Sequence, residues 1–318
     1  MSAGSIFVYA HLDVDARALL DDALRGVPVT FFDKTKQPTA EEQAQFRQSI
    51  ICFGNVPANW LSSDLPLRWL QLESIGFEYY QRATALPPQL TITNLKGLFD
   101  RPTAETTIAG LLALYRGVDQ LVQAQATRQW VSLKVRPQTE ILGAKRVVIL
   151  GAGSIGRKIR TLLEAFGCCV QSFARTSPHA ELQTLEALEP ALATCDIAIC
   201  CLPNTMETRG LFNARRIGLL PRSAVFVNVG RGAVVDEAAL IDALQQRRLS
   251  GAVIDVTLQE PLPPTHALWT CPRTLLLQHT GGGYGEELSD KARVFLRNLA
   301  HFQSGEPLEN VIDLSRGY

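Results

Sequence analysis

The chain has 318 residues, more than a single hydrophobic core usually serves, so two domains are expected. Lysine plus arginine and aspartate plus glutamate number 31 each, and the zero formal charge argues against nucleic acid or an anionic membrane as partner. Hydrophobic residues make up 46%, enough for ordinary globular cores, while no apolar run is long enough to cross a bilayer.

The first residues, MSAGSIFVYAHLDVD, lack the basic start and long apolar run of a secretory signal, so a cytoplasmic protein is expected. Short apolar runs then alternate with amphipathic stretches, the pattern of an α/β fold with parallel sheets. Residues 6–10, 29–32, 50–53 and 67–72 read as strands, with helices over 13–24 and 39–48 between them. This alternation predicts a small flavodoxin-like α/β domain of roughly a hundred residues. A long helix is predicted from Thr103, read as its cap, to Gln125. Residues 128–143, with Trp130 and a proline but no clear period, read as an irregular arm. A second alternation follows, with strands at 145–150, 170–174, 196–202, 224–229, 252–256 and 274–278 and helices including 237–248. A last helix at 288–302 leads into a tail that returns to the first domain. The expected division is residues 1–99 with 286–318, and residues 100–285. The seven cysteines sit in apolar runs such as DIAICC and FGCCV, and the odd count reads as buried reduced thiols. No Cys-x-x-Cys or His-x-x-x-His spacing suggests a metal.

The strongest local signal is KRVVILGAGSIGRKIRTLLEAFG. A buried strand leads into Gly151, Gly153, Ser154, Ile155 and Gly156, and then a helix with Ile155, Ile159, Leu162, Leu163 and Phe166 on one side. In a dinucleotide fingerprint Gly151 makes the tight turn, Gly153 lets backbone approach the pyrophosphate, and Gly156 lets helix and strand pack closely. The helix N-terminus offers unpaired N–H groups to the phosphates. At the end of the next strand, where NAD enzymes usually hold an acid for the ribose, stand Arg175, Thr176 and Ser177. A guanidinium flanked by hydroxyls suits a ribose 2′-phosphate, and no nearby carboxylate in this stretch repels it. NADP(H) is therefore the favoured cofactor, with NAD(H) the alternative.

Three further strand ends supply one guanidinium, one carboxylate and one imidazole: Arg231 in VNVGRG, Glu260 in DVTLQEP and His279 in LLLQHTGGG. Reduction of a keto acid needs a cation for the carboxylate and carbonyl and a proton donor for the nascent alkoxide. Arg231 and His279 suit those tasks, and Glu260 suits holding the imidazole.

The run from CLPNTMETRGLF through VNVGRGAVVDEAAL to DVTLQEPLP and His279 resembles the D-isomer-specific 2-hydroxyacid dehydrogenase family. The resemblance covers about 70–297 and is densest in the second half. It implies a Rossmann domain beside a smaller substrate domain, with Arg231 binding substrate, His279 as acid/base and Glu260 as its partner. It also implies that Asp255 faces the nicotinamide carboxamide. Leu202, Pro203, Thr208, Val229, Gly230 and Gly281 would line the cofactor cleft. Ser74, Ile75 and Gly76 would form the loop whose backbone amides hold the substrate carboxylate. Asn94, Gly97 and Glu105 fall at the first crossing between domains. Within the family, the Arg175-Thr176-Ser177 cluster and the Trp130 arm look most like glyoxylate/hydroxypyruvate reductases, which implies a small 2-keto or 2-hydroxy acid substrate and a homodimer. Two other readings stay open. One is an NAD-linked dehydrogenase of a bulkier or phosphorylated acid; the other is a nucleotide-sensing corepressor on the same fold. The sequence departs from the family in Gln278 before the histidine, in the glycine-rich stretch after it, and in Tyr79 and Tyr80 after the substrate loop.

Overall fold

The computed structural model describes residues 4–32, 34, 36–83 and 85–314, with Arg82 described by its backbone alone. Residues 1–3 of the expected leaderless start and 315–318 of the tail lie outside the described residues. The chain forms two compact units, one built from residues up to Leu98 and from Tyr284 onward, the other from Phe99–Gly283.

The first unit runs β1 (Ile6–Val8), α1 (Val14–Ala23), β2 (Val29–Phe31), α2 (Ala40–Gln48), β3 (Ile51–Phe53), β4 (Trp69–Gln71) and β5 (Thr91–Thr93). These five strands pair in parallel, in the order β2-β1-β3-β4-β5. Successive side chains of a strand face opposite ways, and here each face has its own core. Ile6, Val8, Ile51, Phe53 and Trp69 join one; Phe7, Cys52 and Leu70 join the other. Asp13 caps α1 by accepting from the N–H of Ala16, and Thr39 with Glu42 forms a capping box on α2.

The second unit begins with α3 (Asp100–Tyr115), α4 (Val118–Ala126) and α5 (Ser132–Val135). It continues β6 (Arg146–Leu150), α6 (Ser154–Ala165), β7 (Cys169–Phe173), α7 (Leu185–Leu192), β8 (Ile197–Cys200), α8 (Ala214–Leu219), β9 (Val225–Asn228), α9 (Glu237–Gln245), β10 (Gly251–Ile254) and β11 (Thr274–Leu276). Its parallel sheet has the order β11-β10-β9-β8-β6-β7. Val147 and Ile149 face α3 and α6, while Val148 and Leu150 face the core shared with α7, α8 and α9. Helices on both faces make it doubly wound, and each fully buried Leu, Ile or Phe contributes about 1.5–3 kcal/mol. The last helix, α10 (Glu287–Ser304), belongs to the first unit, where Phe295 stacks on Phe53 at 4.6 Å and on Trp69 at 5.3 Å.

Several expectations need correction. The helix predicted over 103–125 is two helices, because Gly117 takes φ +67 and breaks the ladder between α3 and α4. Thr103 is no cap: Pro102 has no N–H to satisfy and fits a first turn, so α3 starts at Asp100 and Thr103 lies buried inside it. Strand β5 was not anticipated. The arm at 128–143 contains α5 and a short 3-10 turn at Arg136–Gln138. The last strand stops at Leu276, two residues short of prediction. Phe166 caps α6 and is 45% exposed, off the buried face formed by Ile159 and Leu163. All seven cysteines are free thiols, but Cys169 is exposed. No helix of the described residues is long and apolar enough to cross a membrane.

Candidate active site

Strand β6 ends in a turn that tolerates no side chain at two points. Gly151 has φ +122, and a Cβ there would lie 2.8 Å from Sγ of Cys201. A Cβ on Gly156 would lie 1.9 Å from the carbonyl oxygen of Gly151. Gly153, by contrast, faces open space and is the N-cap of α6, with no side chain capping it. The first main-chain bond of the helix runs from Arg157 N–H to Gly153 O at 3.0 Å. The N–H groups of Ser154, Ile155 and Gly156 are thus left for a ligand at the positive end of the helix. This open, donor-rich cradle fits a dinucleotide pyrophosphate.

At the end of β7 the hydroxyl of Ser177 reaches the carbonyl of Ala152 at 3.5 Å, tying this loop to the glycine turn, and Thr176 is exposed. Arg175 is not free of carboxylates. Its guanidinium pairs with Glu207, 32 residues further along the chain. A sequence window around Arg175 cannot show a partner delivered by another strand's loop.

That loop follows β8. Leu202 and Thr208 are buried and Pro203 is exposed. The Thr208 hydroxyl donates to Pro203 O at 2.5 Å, and the N–H of Thr205 donates to that same hydroxyl oxygen at 2.8 Å, so the turn is stitched shut.

The next three strands lie side by side and carry the reactive groups at their C-terminal ends, where open α/β sheets bind ligands. After β9, buried Asn228 accepts from Gly230 N–H at 3.1 Å and donates to Arg231 O at 3.3 Å, fixing the turn that bears the arginine. Val229 is 6% exposed beside it, and the guanidinium donates to Gly230 O at 2.8 Å. Gly232 presses on the loop after β10, since a Cβ there would sit 2.1 Å from the backbone of Thr257. Neither Asn228 nor Gly232 was singled out from the sequence, although both flank the arginine in the same short stretch.

After β10, Asp255 is 5% exposed, and burial pushes its carboxyl above the ordinary range. The N–H groups of Gly281 and Thr280 and the charge of His279 act the other way. Gly281 donates to it at 3.0 Å, and Gly281 O accepts from the Thr106 hydroxyl at 3.0 Å. Glu260 Oε1 accepts from the N–H of Thr257 at 2.9 Å, and Glu260 Oε2 lies 2.6 Å from Nδ1 of His279. Gln278 and His279 both take left-handed backbone, with φ +54 and +57, as the chain turns off β11. The His279 main-chain N–H donates to Asp255 O at 2.6 Å. With Nδ1 engaged by a carboxylate, Nε2 is the ring nitrogen available for proton transfer.

In the first unit, Ser74, Ile75 and Gly76 follow β4. Their carbonyl oxygens all accept bonds: from Leu95 N–H at 3.1 Å, from Asn94 Nδ2 at 2.9 Å and from the Ser74 hydroxyl at 2.7 Å. Among the described residues no acceptor meets their N–H groups.

A doubly wound sheet with a glycine cradle, a carboxylate-held imidazole after β11 and an arginine after β9 fits a nucleotide-dependent oxidoreductase. Residues 108–281, more than half of the chain, match the family model for the D-isomer specific 2-hydroxyacid dehydrogenase NAD binding domain. The chain belongs to the D-isomer specific 2-hydroxyacid dehydrogenase family and uses a nicotinamide cofactor. It is 32% identical to a Corynebacterium melassecola protein of uncharacterised activity over 80% of this chain and 86% of that one. It is 30% identical to the glyoxylate reductase of Aeropyrum pernix, over 98% of this chain and 97% of that enzyme. Among solved structures, a D-isomer specific 2-hydroxyacid dehydrogenase from Xanthobacter autotrophicus Py2, in complex with NADPH and MES, is similar with a TM-score of 0.84 and 28% identity. That match covers 99% of this chain and 100% of that one.

Proposed function

We propose that the protein uses NADPH to reduce a small 2-keto acid, of the glyoxylate or hydroxypyruvate kind, to the 2-hydroxy acid. The observation that carries this reading is the 2.6 Å contact between Glu260 and Nδ1 of His279. It orients Nε2 for proton transfer, as the acid of such a reduction requires. When bound, the reduced nicotinamide supplies the hydride that C2 of the keto acid accepts. Arg231 holds the substrate carboxylate and polarises the carbonyl, His279 gives its proton to the carbonyl oxygen, and Glu260 stabilises the imidazolium until then. Asp255 accepts from the nicotinamide carboxamide, and Arg175 with Thr176 and Ser177 receives the 2′-phosphate. The first unit is the substrate unit, with Ser74, Ile75 and Gly76 as carboxylate donors. The glyoxylate reductase among the relatives and the NADPH in the Xanthobacter structure support the substrate class and the cofactor.

The pairing of Arg175 with Glu207 favours a second reading, an NAD-linked enzyme of the same family. Glyoxylate and hydroxypyruvate, each offered with NADPH and with NADH, separate the two, with His279→Ala as control. Rapid loss of NADPH absorbance, slow loss of NADH absorbance and neither in the variant is the expected result. A preference for NADH moves the assignment to the second reading.

We also propose that the protein is a cytoplasmic homodimer. Support for the dimer comes from apolar side chains held in water, with Trp130 93% and Leu133 91% exposed, and Val122 59%.

A further inference from the structure

We propose that Asn55 is a positioning residue that sets the substrate loop for binding a carboxylate, a role that rests on the function proposed above. Asn55 lies just past β3, whereas the loop follows β4, and its amide reaches across to two points of that loop. Oδ1 accepts from the N–H of Glu73 at 3.1 Å, and Nδ2 donates to the hydroxyl oxygen of Ser74 at 3.1 Å. The Ser74 hydroxyl is thereby left to donate onward to Gly76 O at 2.7 Å. The relay is directional. An acceptor and a donor on one planar amide force the serine proton toward Gly76, which folds the loop back on itself.

The result is the polarity of the loop. With the carbonyls of Ser74, Ile75 and Gly76 tied back by Leu95, Asn94 and Ser74, only N–H groups remain to face a ligand. Successive amides with no competing carbonyl make an anion site without a formal charge. Asn55 and Gly76 line one cavity of about 350 Å³, together with Pro57, Glu78, Tyr79 and Tyr80, so the relay stands at its wall. Behind it, the half-buried Glu73 accepts from His11 N–H at 3.0 Å and pairs with Lys34, which fixes the residue Asn55 grips. Asn55 acts on the substrate through Ser74 and the loop.

Asn55→Ala, Ser74→Ala and the double variant test this as full-length enzymes. Each single change is expected to raise the KM for the keto acid about tenfold, with kcat within about twofold and NADPH affinity unchanged. Because the two side chains act in series, the double variant should match the singles rather than multiply them. Oxamate, an unreactive 2-oxo acid analogue, titrated into the NADPH-saturated enzyme reads the same cradle without turnover and should weaken in parallel. Unchanged KM and oxamate affinity in both folded single variants overturns the role of Asn55. So does a fall in kcat and NADPH affinity that tracks the KM, or a multiplicative double variant. A wild type that binds oxamate, weakly in the variants, yet turns over no keto acid leaves the positioning role standing and overturns the reductase reading. A wild type that binds no oxamate removes the cradle and the proposal with it.

Discussion

Glu207, on the turn after β8, forms an ion pair with Arg175 at the end of β7, so the proposed 2′-phosphate ligand carries its own competing anion. Both side chains are about half exposed, at 60% and 47%, and such a pair contributes up to about 1 kcal/mol. Glu207→Gln should therefore tighten NADPH about two- to fivefold and leave NADH unmoved. Arg175→Ala should weaken NADPH on the order of 10–100-fold, as loss of charge-assisted bonds to phosphate does. Fluorescence titration with both cofactors reads each change. Equal effects on NADPH and NADH would remove Arg175 from the 2′-phosphate site.

The glycine turn separates folding from binding. Gly156→Ala forces a methyl onto the Gly151 carbonyl and should lower the melting temperature, by the equivalent of about 1–3 kcal/mol. Gly153→Ala meets nothing within 4 Å, so the fold should melt as the wild type does while cofactor affinity falls. Thermal melts beside cofactor titrations decide this, and a Gly153→Ala variant with full affinity would refute the close approach of the pyrophosphate.

Asp255 holds its proton more tightly in the folded protein than in the unfolded chain, because burial disfavours the charge. Its contribution is most favourable below the ordinary aspartate value of about 3.9 and is lost as pH rises through the raised folded value. Asp255→Asn removes that loss and keeps an oxygen to accept from Gly281. The melting temperature of the variant, relative to wild type, should climb as pH rises above about 4 and level off once the folded Asp255 has ionised. A difference that stays flat across this range would show that Asp255 titrates like a solvated carboxylate.

Trp130 and Leu133 offer the simplest handle on assembly. Trp130→Glu with Leu133→Glu puts charge onto side chains already in water, so the isolated fold should keep its melting behaviour. If these residues bury one another's copies in a homodimer, sedimentation should shift from dimer to monomer. A variant that sediments as wild type places any interface elsewhere.

The parts of the fold written locally were legible in the sequence. β6, the glycine turn and α6 are contiguous, and each residue type there answers a local demand: buried β-branched strand, close approach, amphipathic helix. Arg231, Glu260 and His279 could be picked out because each stands at the end of an apolar run. What escaped depends on partners distant in sequence. Thr91–Thr93 becomes a strand because β4 pairs with it, although three residues carry little period of their own. Gly117 sits inside a run whose apolar spacing continues across it, so the break between α3 and α4 leaves no mark on the pattern. Glu207 and Asn55 matter through a guanidinium and a loop that other strands deliver to them.

Phe295 has a consequence for the order in which this protein is made. Its ring closes the stack on Phe53 and Trp69, yet it is synthesised after the whole of Phe99–Gly283. A fragment ending at Gly283 should therefore protect the six-stranded sheet from protease while the five-stranded one is digested. Protection of both would show that α10 is dispensable. On the ribosome, the segment that emerges first waits with one face of its sheet covered by α1 alone, a window in which a chaperone has a hydrophobic target, until the final helix arrives.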